Sequence, residues 1–151
     1  MFRGVNAVTL DGKGRMAIPT RYREQLARVC SGQMVLTVDR DHCLLLYPQP
    51  EWEEIERKIM KLSSFNKQTR KLQRLLVGHA TECELDGNGR ILLAPLLREF
   101  AGLNKDAMLI GQGNKFEIWD DGAWNARRAE WLEDEGEGDG KLPPDLESFS
   151  L

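Results

Sequence analysis

The sequence predicts an α+β fold in which two tandem units form one pseudo-twofold β-barrel with short helices. The prediction rests on an internal repeat, because nearly the same stretch occurs as "TLDGKGRMAIP" at 9–19 and as "ELDGNGRILLAP" at 84–95. It also rests on size, since a unit of a few short strands cannot bury its own apolar faces in water. We therefore expect the two units to cover each other and to bring their Asp-Gly-x-Gly-Arg turns to one side.

The first unit begins with a predicted hairpin and a short helix. The β-rich run at 5–10, the turn residues 11–14 and the apolar segment 15–18 predict the hairpin, with glycines able to take positive φ. Pro19 suits the first turn of a helix, where its missing N–H costs nothing. Ser31 followed by glycine predicts where that helix ends.

A second hairpin is predicted in each unit. In the first unit the apolar runs 33–38 and 43–47 flank the turn sequence "DRDH". In the second unit the runs 107–110 and 115–119 flank "GQGN". Both pairs have the length and apolar content typical of strands.

Between the units, apolar residues at helical spacing in 50–62 and 66–79 predict a helical connector. Beyond Trp131 the chain is rich in Gly, Pro and acids, which predicts a disordered tail from about residue 135. The predicted organisation is a first unit at 1–54, a helical connector at 55–80, a second unit at 81–127, and a C-terminal helix end with an acidic tail at 128–151.

The net charge of −3 conceals a strong asymmetry along the chain. Residues 130–151 hold eight acids and one lysine, a balance of −7, which leaves +4 for residues 1–129. Residues 57–74 carry seven Lys and Arg and no acid. Such segregation is typical of proteins with a polyanionic partner, although the basic stretch also fits the solvated face of a connector helix.

The sequence contains no pattern typical of catalysis, metal binding or a membrane span. Cys30, Cys43 and Cys83 lie far apart in apolar stretches, which favours neither a disulfide framework nor a zinc site. His42 and His79 have no ligand partner at suitable spacing. No apolar run approaches the roughly 20 residues of a spanning helix. We therefore expect a cytoplasmic protein that is not an enzyme and uses no metal or cofactor.

Each repeated turn places an arginine four residues after an aspartate, Asp11 with Arg15 and Asp86 with Arg90. An aspartate at that position can accept hydrogen bonds from the turn N–H groups and pair with the guanidinium across the turn. The motif therefore predicts a set of structural turn residues: Asp11, Gly12, Gly14, Asp86, Gly87 and Gly89.

The tip of the turn differs between the copies. Lys13 stands at the tip of the first turn, where the second copy has Asn88. A cation projecting from a turn beside an arginine is well suited to contact a phosphate or a guanine. The first turn is therefore the better candidate for a direct contact with nucleic acid.

The opening "MFRG" and the paired D-x-x-x-R turns 75 residues apart make the chain resemble the MraZ family over roughly residues 1–134. That family belongs to the AbrB-like swapped-hairpin superfamily of transcription factors. The resemblance implies two tandem AbrB-like swapped-hairpin units. It also implies a ring-like homo-oligomer, associated with the nucleoid, that binds double-stranded promoter DNA at repeated boxes upstream of its own division and cell-wall operon.

The resemblance also implies which residues contact DNA. In the family they lie in the N-terminal D-x-x-x-R region, which corresponds here to Lys13 and Arg15, with Arg3 nearby. Arg90 matches the motif in the second copy and is the fourth candidate DNA-binding residue, although Asn88 there takes the place of the lysine. The expected function is that of a sequence-specific DNA-binding transcriptional regulator. The alternative is a protein-interaction module that inhibits an enzyme or neutralises a toxin, with an unknown protein partner.

Overall fold

The computed structural model of the chain describes residues 1–134. The tail that the sequence predicts to be disordered, 135–151, lies outside the described residues. The chain divides into a compact unit Met1–Asp121 and a second unit that begins at Gly122. The strands are β1 (Phe2–Thr9), β2 (Arg15–Ala17), β3 (Gln33–Val38), β4 (Leu44–Pro48), β5 (Thr81–Glu84), β6 (Arg90–Leu92), β7 (Asp106–Gly113) and β8 (Phe116–Asp120). The helices are α1 (Thr20–Cys30), α2 (Gln49–Met60), α3 (Lys67–Leu72), a π-helical turn (Gln73–Val77), α4 (Pro95–Phe100) and α5 (Asp121–Glu133).

Six strands form one antiparallel sheet in the order β1-β7-β8-β4-β3-β5, and β2 and β6 form a separate two-stranded pair. The predicted α+β class is confirmed, but the predicted closed barrel is wrong because β1 and β5 are the edges of an open sheet. β2 and β6 are three residues long and pair with each other. Within residues 1–134, no strand is left to join the two edges.

The two repeats exchange their first strands around a pseudo-twofold axis. β1 of the first repeat pairs with β7 of the second, and β5 of the second pairs with β3 of the first. In the β2–β6 pair Met16 faces Ile91, which occupies the equivalent position 75 residues later. The axis therefore passes through this pair, and each repeat is completed by the other.

The hairpin predicted around the first turn is wrong. A single bridge from Leu10 to Met16 connects β1 with β2, whereas all of β1 pairs with β7. Alternation of apolar residues specifies which face of a strand is buried but not which strand lies beside it. The second hairpins of both repeats are confirmed as β3–β4 and β7–β8, although β7 extends three residues beyond its predicted end, to Gly113.

The helices follow the sequence signals. Pro19 directly precedes α1, and Ser31 ends it with a φ of 53° while donating its N–H to the Ala27 carbonyl oxygen at 3.1 Å. Helices also lie in both stretches where helical spacing predicts them. The side chain of Asn66 begins α3 by accepting the N–H of Gln68 at 2.8 Å.

The buried side chains form two clusters on opposite faces of the sheet, because successive residues of β3 and β4 alternate between them. The larger cluster unites both repeats. Within this cluster, the centroid of the Phe116 ring lies 4.3 Å from the centroid of the Phe2 ring and 4.9 Å from the centroid of the Tyr22 ring. The smaller cluster contains Tyr47 and Trp52, so it brings α2 onto the other face.

We expect Ile91→Ala to lower the free energy of unfolding by about 2–5 kcal/mol, because the truncation leaves a cavity in the shared core. Ile91 is 1% exposed at the centre of the β2–β6 pair. The neighbouring Leu92 is 56% exposed, so Leu92→Ala is the matched control and should change stability by less than about 0.5 kcal/mol. Denaturant titration measures both values, and equal losses would contradict the central position of Ile91.

Candidate nucleic-acid interface

The first repeated turn is organised by the carboxylate of Asp11. Its Oδ1 accepts the N–H groups of Lys13 and Arg15, both at 2.9 Å. Its Oδ2 accepts Nε of the Arg15 guanidinium at 2.7 Å. One side chain therefore closes the turn and orients the arginine, as the motif predicts.

The second turn has the same construction. Oδ1 of Asp86 accepts the N–H groups of Asn88 at 2.8 Å and Arg90 at 2.9 Å, and Oδ2 accepts Nε of Arg90 at 3.3 Å. The prediction that each aspartate braces its turn and pairs with its arginine is confirmed in both copies.

These hydrogen bonds stabilise the ionised form of each aspartate. The pKa of Asp11 is lowered from its usual 3.8 to about 2, and the hydrogen bond from the N–H of Arg15 is the largest cause. Partial burial opposes this shift, while the Arg15 guanidinium and the N–H of Lys13 add to it. The N–H of Arg90 likewise lowers the pKa of Asp86. Both carboxylates are therefore charged at neutral pH.

The two turns meet across the pseudo-twofold axis. The Leu93 N–H donates to the Gly14 carbonyl oxygen at 3.0 Å, and the equivalent N–H of Ile18 donates to Gly89 at 2.9 Å. Nη1 of Arg90 also lies 3.8 Å from Oδ2 of Asp11. The prediction that the turns lie on one side of the molecule is confirmed.

The glycines of the two turns are not equivalent. Gly14 and Gly89 have φ values of 83° and 74°, in the left-handed region that favours glycine. Gly12 and Gly87 occupy the turns without a positive φ, and a Cβ at either position would meet nothing within 4 Å. The turn geometry therefore requires glycine only at the last of its two glycine positions.

The first turn is the more cationic of the two. Lys13 is exposed at its tip, at the position that Asn88 occupies in the second turn. The N–H of Leu10, next to the first turn, donates to the carbonyl oxygen of the exposed Lys105 at 2.8 Å. The equivalent bond in the second repeat reaches Gly32 instead. Lys13 at the tip therefore distinguishes the first turn from the second.

The structure does not place Arg3 beside the turns. Arg3 lies near the start of β1, opposite Gln112, whereas the first turn follows the other end of that strand. Six residues of extended chain between Arg3 and Thr9 span about 20 Å. Most of β1 therefore separates Arg3 from the first turn, and its contact with DNA stays a prediction.

The basic stretch 57–74 includes the end of α2 and all of α3. α2 packs through Trp52 on the face of the sheet opposite to Met16 and Ile91, which lie between the two turns. Arg57 pairs with Glu54 at 2.7 Å. The α2 part of this stretch therefore does not extend the cationic surface of the turns.

Other site chemistries find little support in the part of the chain that is described. Residues 1–134 contain no group of three or more His, Cys, Asp or Glu placed to hold a metal ion. None of their helices is long and apolar enough to cross a bilayer. Burial raises the pKa of Cys83 to about 12, and it raises that of Cys43 as well, so both thiols are protonated and weakly nucleophilic at neutral pH.

Comparison with known proteins identifies the family. A family described as "MraZ protein, putative antitoxin-like" matches the chain twice, over residues 1–75 and 76–137. The chain belongs to the MraZ family. Relatives named "Transcriptional regulator MraZ" from Thioalkalivibrio sulfidiphilus, Methylococcus capsulatus and Escherichia coli O9:H4 are 59%, 60% and 55% identical to it. Each alignment covers 100% of this chain and 100% of the relative.

This member of the MraZ family places two further arginines at the turns. Arg98 lies over Gly14, where an added Cβ would come within 2.5 Å of its guanidinium. Arg23 lies over Gly89 in the same way. Their Nε groups donate to backbone carbonyl oxygens at 3.1 Å for Arg98 and 2.6 Å for Arg23, which holds both guanidinium groups in place.

Sequence reasoning did not select Arg23 and Arg98 as site residues. The available signal was their spacing, since each follows the aspartate of its own repeat by 12 residues. That spacing does not reveal the contact, because each arginine covers the turn of the other repeat. With Arg15 and Arg90 they give the joined turns four arginines.

We expect Gly14→Ala to destabilise the protein by more than about 1 kcal/mol, because alanine is strained at positive φ and its Cβ would collide with Arg98. Gly12→Ala is the matched control, since its Cβ has open space and its φ is not positive. Thermal unfolding compares the two variants. The turn geometry described here is contradicted if Gly12→Ala is the more damaging change.

The brace by Asp11 should also be visible in the pH dependence of stability. Because folding lowers the pKa of Asp11, its stabilising effect is complete above the usual value of 3.8 and is lost as the pH falls towards about 2. The difference in unfolding free energy between the wild type and Asp11→Asn should therefore be constant near neutrality and shrink below about pH 4. Denaturant titrations across this range measure it, and a difference independent of pH would refute the brace.

Proposed function

We propose that the chain is a sequence-specific, non-enzymatic DNA-binding transcriptional regulator. It acts in the cytoplasm at the nucleoid, as a ring-like homo-oligomer that binds repeated boxes in the promoter of its own division and cell-wall operon. The observation that carries the proposal is the pair of joined turns, in which two arginines are held by aspartates and the first turn has an exposed lysine at its tip. The names of the relatives, which are transcriptional regulators, support the same conclusion.

Lys13 and Arg15 of the first turn have different roles. Asp11 fixes Nε of Arg15, so the guanidinium has less conformational freedom to lose on binding. A planar, pre-oriented guanidinium suits the O6 and N7 acceptors of guanine in the major groove. Lys13 at the exposed tip suits a phosphate, which positions the protein without reading sequence. We therefore assign base contact to Arg15 and phosphate contact to Lys13.

The other candidate cations, Arg90 and Arg3, have different roles from Lys13 and Arg15. Arg90 belongs to the same cluster through its 3.8 Å contact with Asp11, and its turn lacks a lysine at the tip. It supports the first turn and contributes positive potential. Arg3, at the far end of β1, contacts DNA only if the duplex or a neighbouring subunit extends along that strand.

Repetition of the turn around a ring strengthens binding. A single turn offers few contacts, but a ring presents the same turn from neighbouring subunits at a fixed spacing. The second contact then forms at an effective concentration that is millimolar for short tethers, which raises avidity by about 10² to 10⁴. Regularly spaced subunits select regularly spaced boxes in the DNA.

The architecture is consistent with two tandem AbrB-like swapped-hairpin units at 1–54 and 81–127, joined by a connector at 55–80 and followed by a C-terminal segment at 128–151. What supports this organisation is the exchange of β1 and β5 between the repeats and the central β2–β6 pair. The swap doubles the turn within one chain, so a single subunit already presents two adjacent copies of the motif.

A second candidate function is a protein-interaction module that inhibits an enzyme or neutralises a toxin. The words "antitoxin-like" in the description of the matching family favour its consideration. Affinity capture of the full chain from a lysate, with and without nuclease, separates the two functions. Partners held through DNA are released by nuclease, whereas a directly bound protein stays.

We expect Lys13→Ala to weaken binding to the DNA upstream of the protein's own gene and to a scrambled duplex by a similar factor, because a phosphate contact carries no sequence information, while folding and assembly stay intact. The backbone N–H of Lys13, which Asp11 uses, remains in the variant. Fluorescence anisotropy with the upstream duplex and a scrambled duplex measures affinity, and the salt dependence of binding should fall by about one unit of slope per lost phosphate contact.

Lys61→Ala removes the same charge from an exposed position after α2 and is the matched control. Arg15→Gln tests base recognition and should remove discrimination between the two duplexes more than total binding. Footprinting of the upstream region should protect evenly spaced boxes. Undiminished affinity of Lys13→Ala together with undiminished discrimination by Arg15→Gln, or an upstream region bound no better than random duplex, would refute the proposal.

A further inference from the structure

A cavity of about 540 Å³ lies on the side of the chain where the β3–β4 turn, the connector and the end of α4 meet. Its apolar surface is provided by leucines of the connector and by Phe100. The volume falls within the range of roughly 300–1,000 Å³ that is typical of small-molecule sites. Neither repeated turn contributes to it, so the cavity needs an explanation separate from DNA binding.

One wall of the cavity is an aromatic stack. The ring of His42 lies 5.2 Å from that of Phe100 at an interplanar angle of 23°. His42 adopts a φ of 62°, which is uncommon for a residue other than glycine, and its N–H donates to the Asp39 carbonyl oxygen at 3.1 Å. The His42 ring is therefore stacked against the face of the Phe100 ring.

Leu75 and Leu76, which also line the cavity, belong to the π-helical turn Gln73–Val77, a rare form that is frequent at functional sites. Its carbonyl groups are held from outside the cavity. The hydroxyl of the buried Thr37 donates to the Leu76 carbonyl oxygen at 2.6 Å, and Nδ1 of His79 donates to that of Leu75 at 2.8 Å. These bonds fix the turn while the side chains of the connector line the cavity.

The charged groups of the cavity wall are unbalanced. Arg40 and Lys71 contribute two exposed cations, and Asp39 contributes one carboxylate. Oδ2 of Asp39 already accepts the N–H of Asp41 at 3.0 Å within the β3–β4 turn. The wall therefore combines an apolar surface with an excess of one positive charge.

We propose that this cavity binds a soluble amphipathic carboxylate, whose apolar body packs on Leu72, Leu75 and Phe100 and whose anionic group pairs with Arg40 and Lys71. Charge complementarity selects an anion, and the largely apolar lining selects a hydrocarbon body over a small inorganic ion. The site stands on these observations alone and does not depend on the proposed DNA binding.

The experiment uses the full chain and displacement of the fluorescent probe 1-anilinonaphthalene-8-sulfonate. Decanoate and decan-1-ol are the competitors, because they share an apolar chain and differ in charge. We expect decanoate to displace the probe at a concentration about tenfold lower than decanol, as a charge-assisted pair at the rim predicts. Equal potency of the two competitors would overturn the assignment of a carboxylate.

Variants locate the site. Arg40→Ala combined with Lys71→Ala should raise the decanoate concentration needed by about tenfold or more and leave decanol unchanged. Lys58→Ala combined with Lys61→Ala removes the same charge from residues outside the cavity and should change neither competitor. An equal effect of both pairs would mean that the anion is attracted only by overall charge, which refutes the proposed site.

Occupation of the cavity is tested by Leu72→Trp, which fills it with a larger side chain and should abolish displaceable probe binding. Thermal unfolding of each variant shows whether it remains folded, and the charge-pair variants carry the conclusion if Leu72→Trp does not. Probe binding that falls as the protein concentration rises would indicate that a second copy covers the cavity, and this result would overturn the small-molecule site.

Discussion

Each repeated turn is completed by the other repeat, and the arrangement of the whole compact unit depends on this reciprocal contact. The Gly14 carbonyl oxygen accepts a hydrogen bond from the Leu93 N–H of the second repeat, and Arg98 of the same repeat covers Gly14. Arg23 of the first repeat covers Gly89 in the same way. Because the first strands are also exchanged, neither turn can reach its final form until both repeats have docked. The geometry of the cationic surface is thus coupled to formation of the shared core.

The aspartates explain how a short turn can present arginines in a defined direction. An exposed arginine loses much side-chain freedom when it binds, whereas one whose Nε is already held loses less. The same carboxylate reduces the net positive charge of the turn. The exposed Lys13 offsets this reduction in the first turn, where the second turn has Asn88. The two copies therefore share a scaffold but differ in their capacity to attract a polyanion.

The short helix α4 contributes to both surfaces described above. Arg98 reaches from it to the first turn, and Phe100, two residues later, forms part of the cavity wall. The connector provides the rest of that wall through α3 and the π-helical turn, while α2 covers the opposite face of the sheet through Trp52. The cations of 57–74 consequently lie in different environments, because the helices that carry them pack against different parts of the sheet.

The sequence by itself determined the repeat, the α+β class, the second hairpins and the pairing of Asp11 with Arg15, since these depend on residues close together in the chain. Only the tertiary structure decided the partners of β1 and β2, the open sheet, the distance of Arg3 from the turns and the placement of Arg23 and Arg98. The physical reason is that an apolar pattern states which face of a strand or helix is buried. It does not state which of two similar repeats will cover that face.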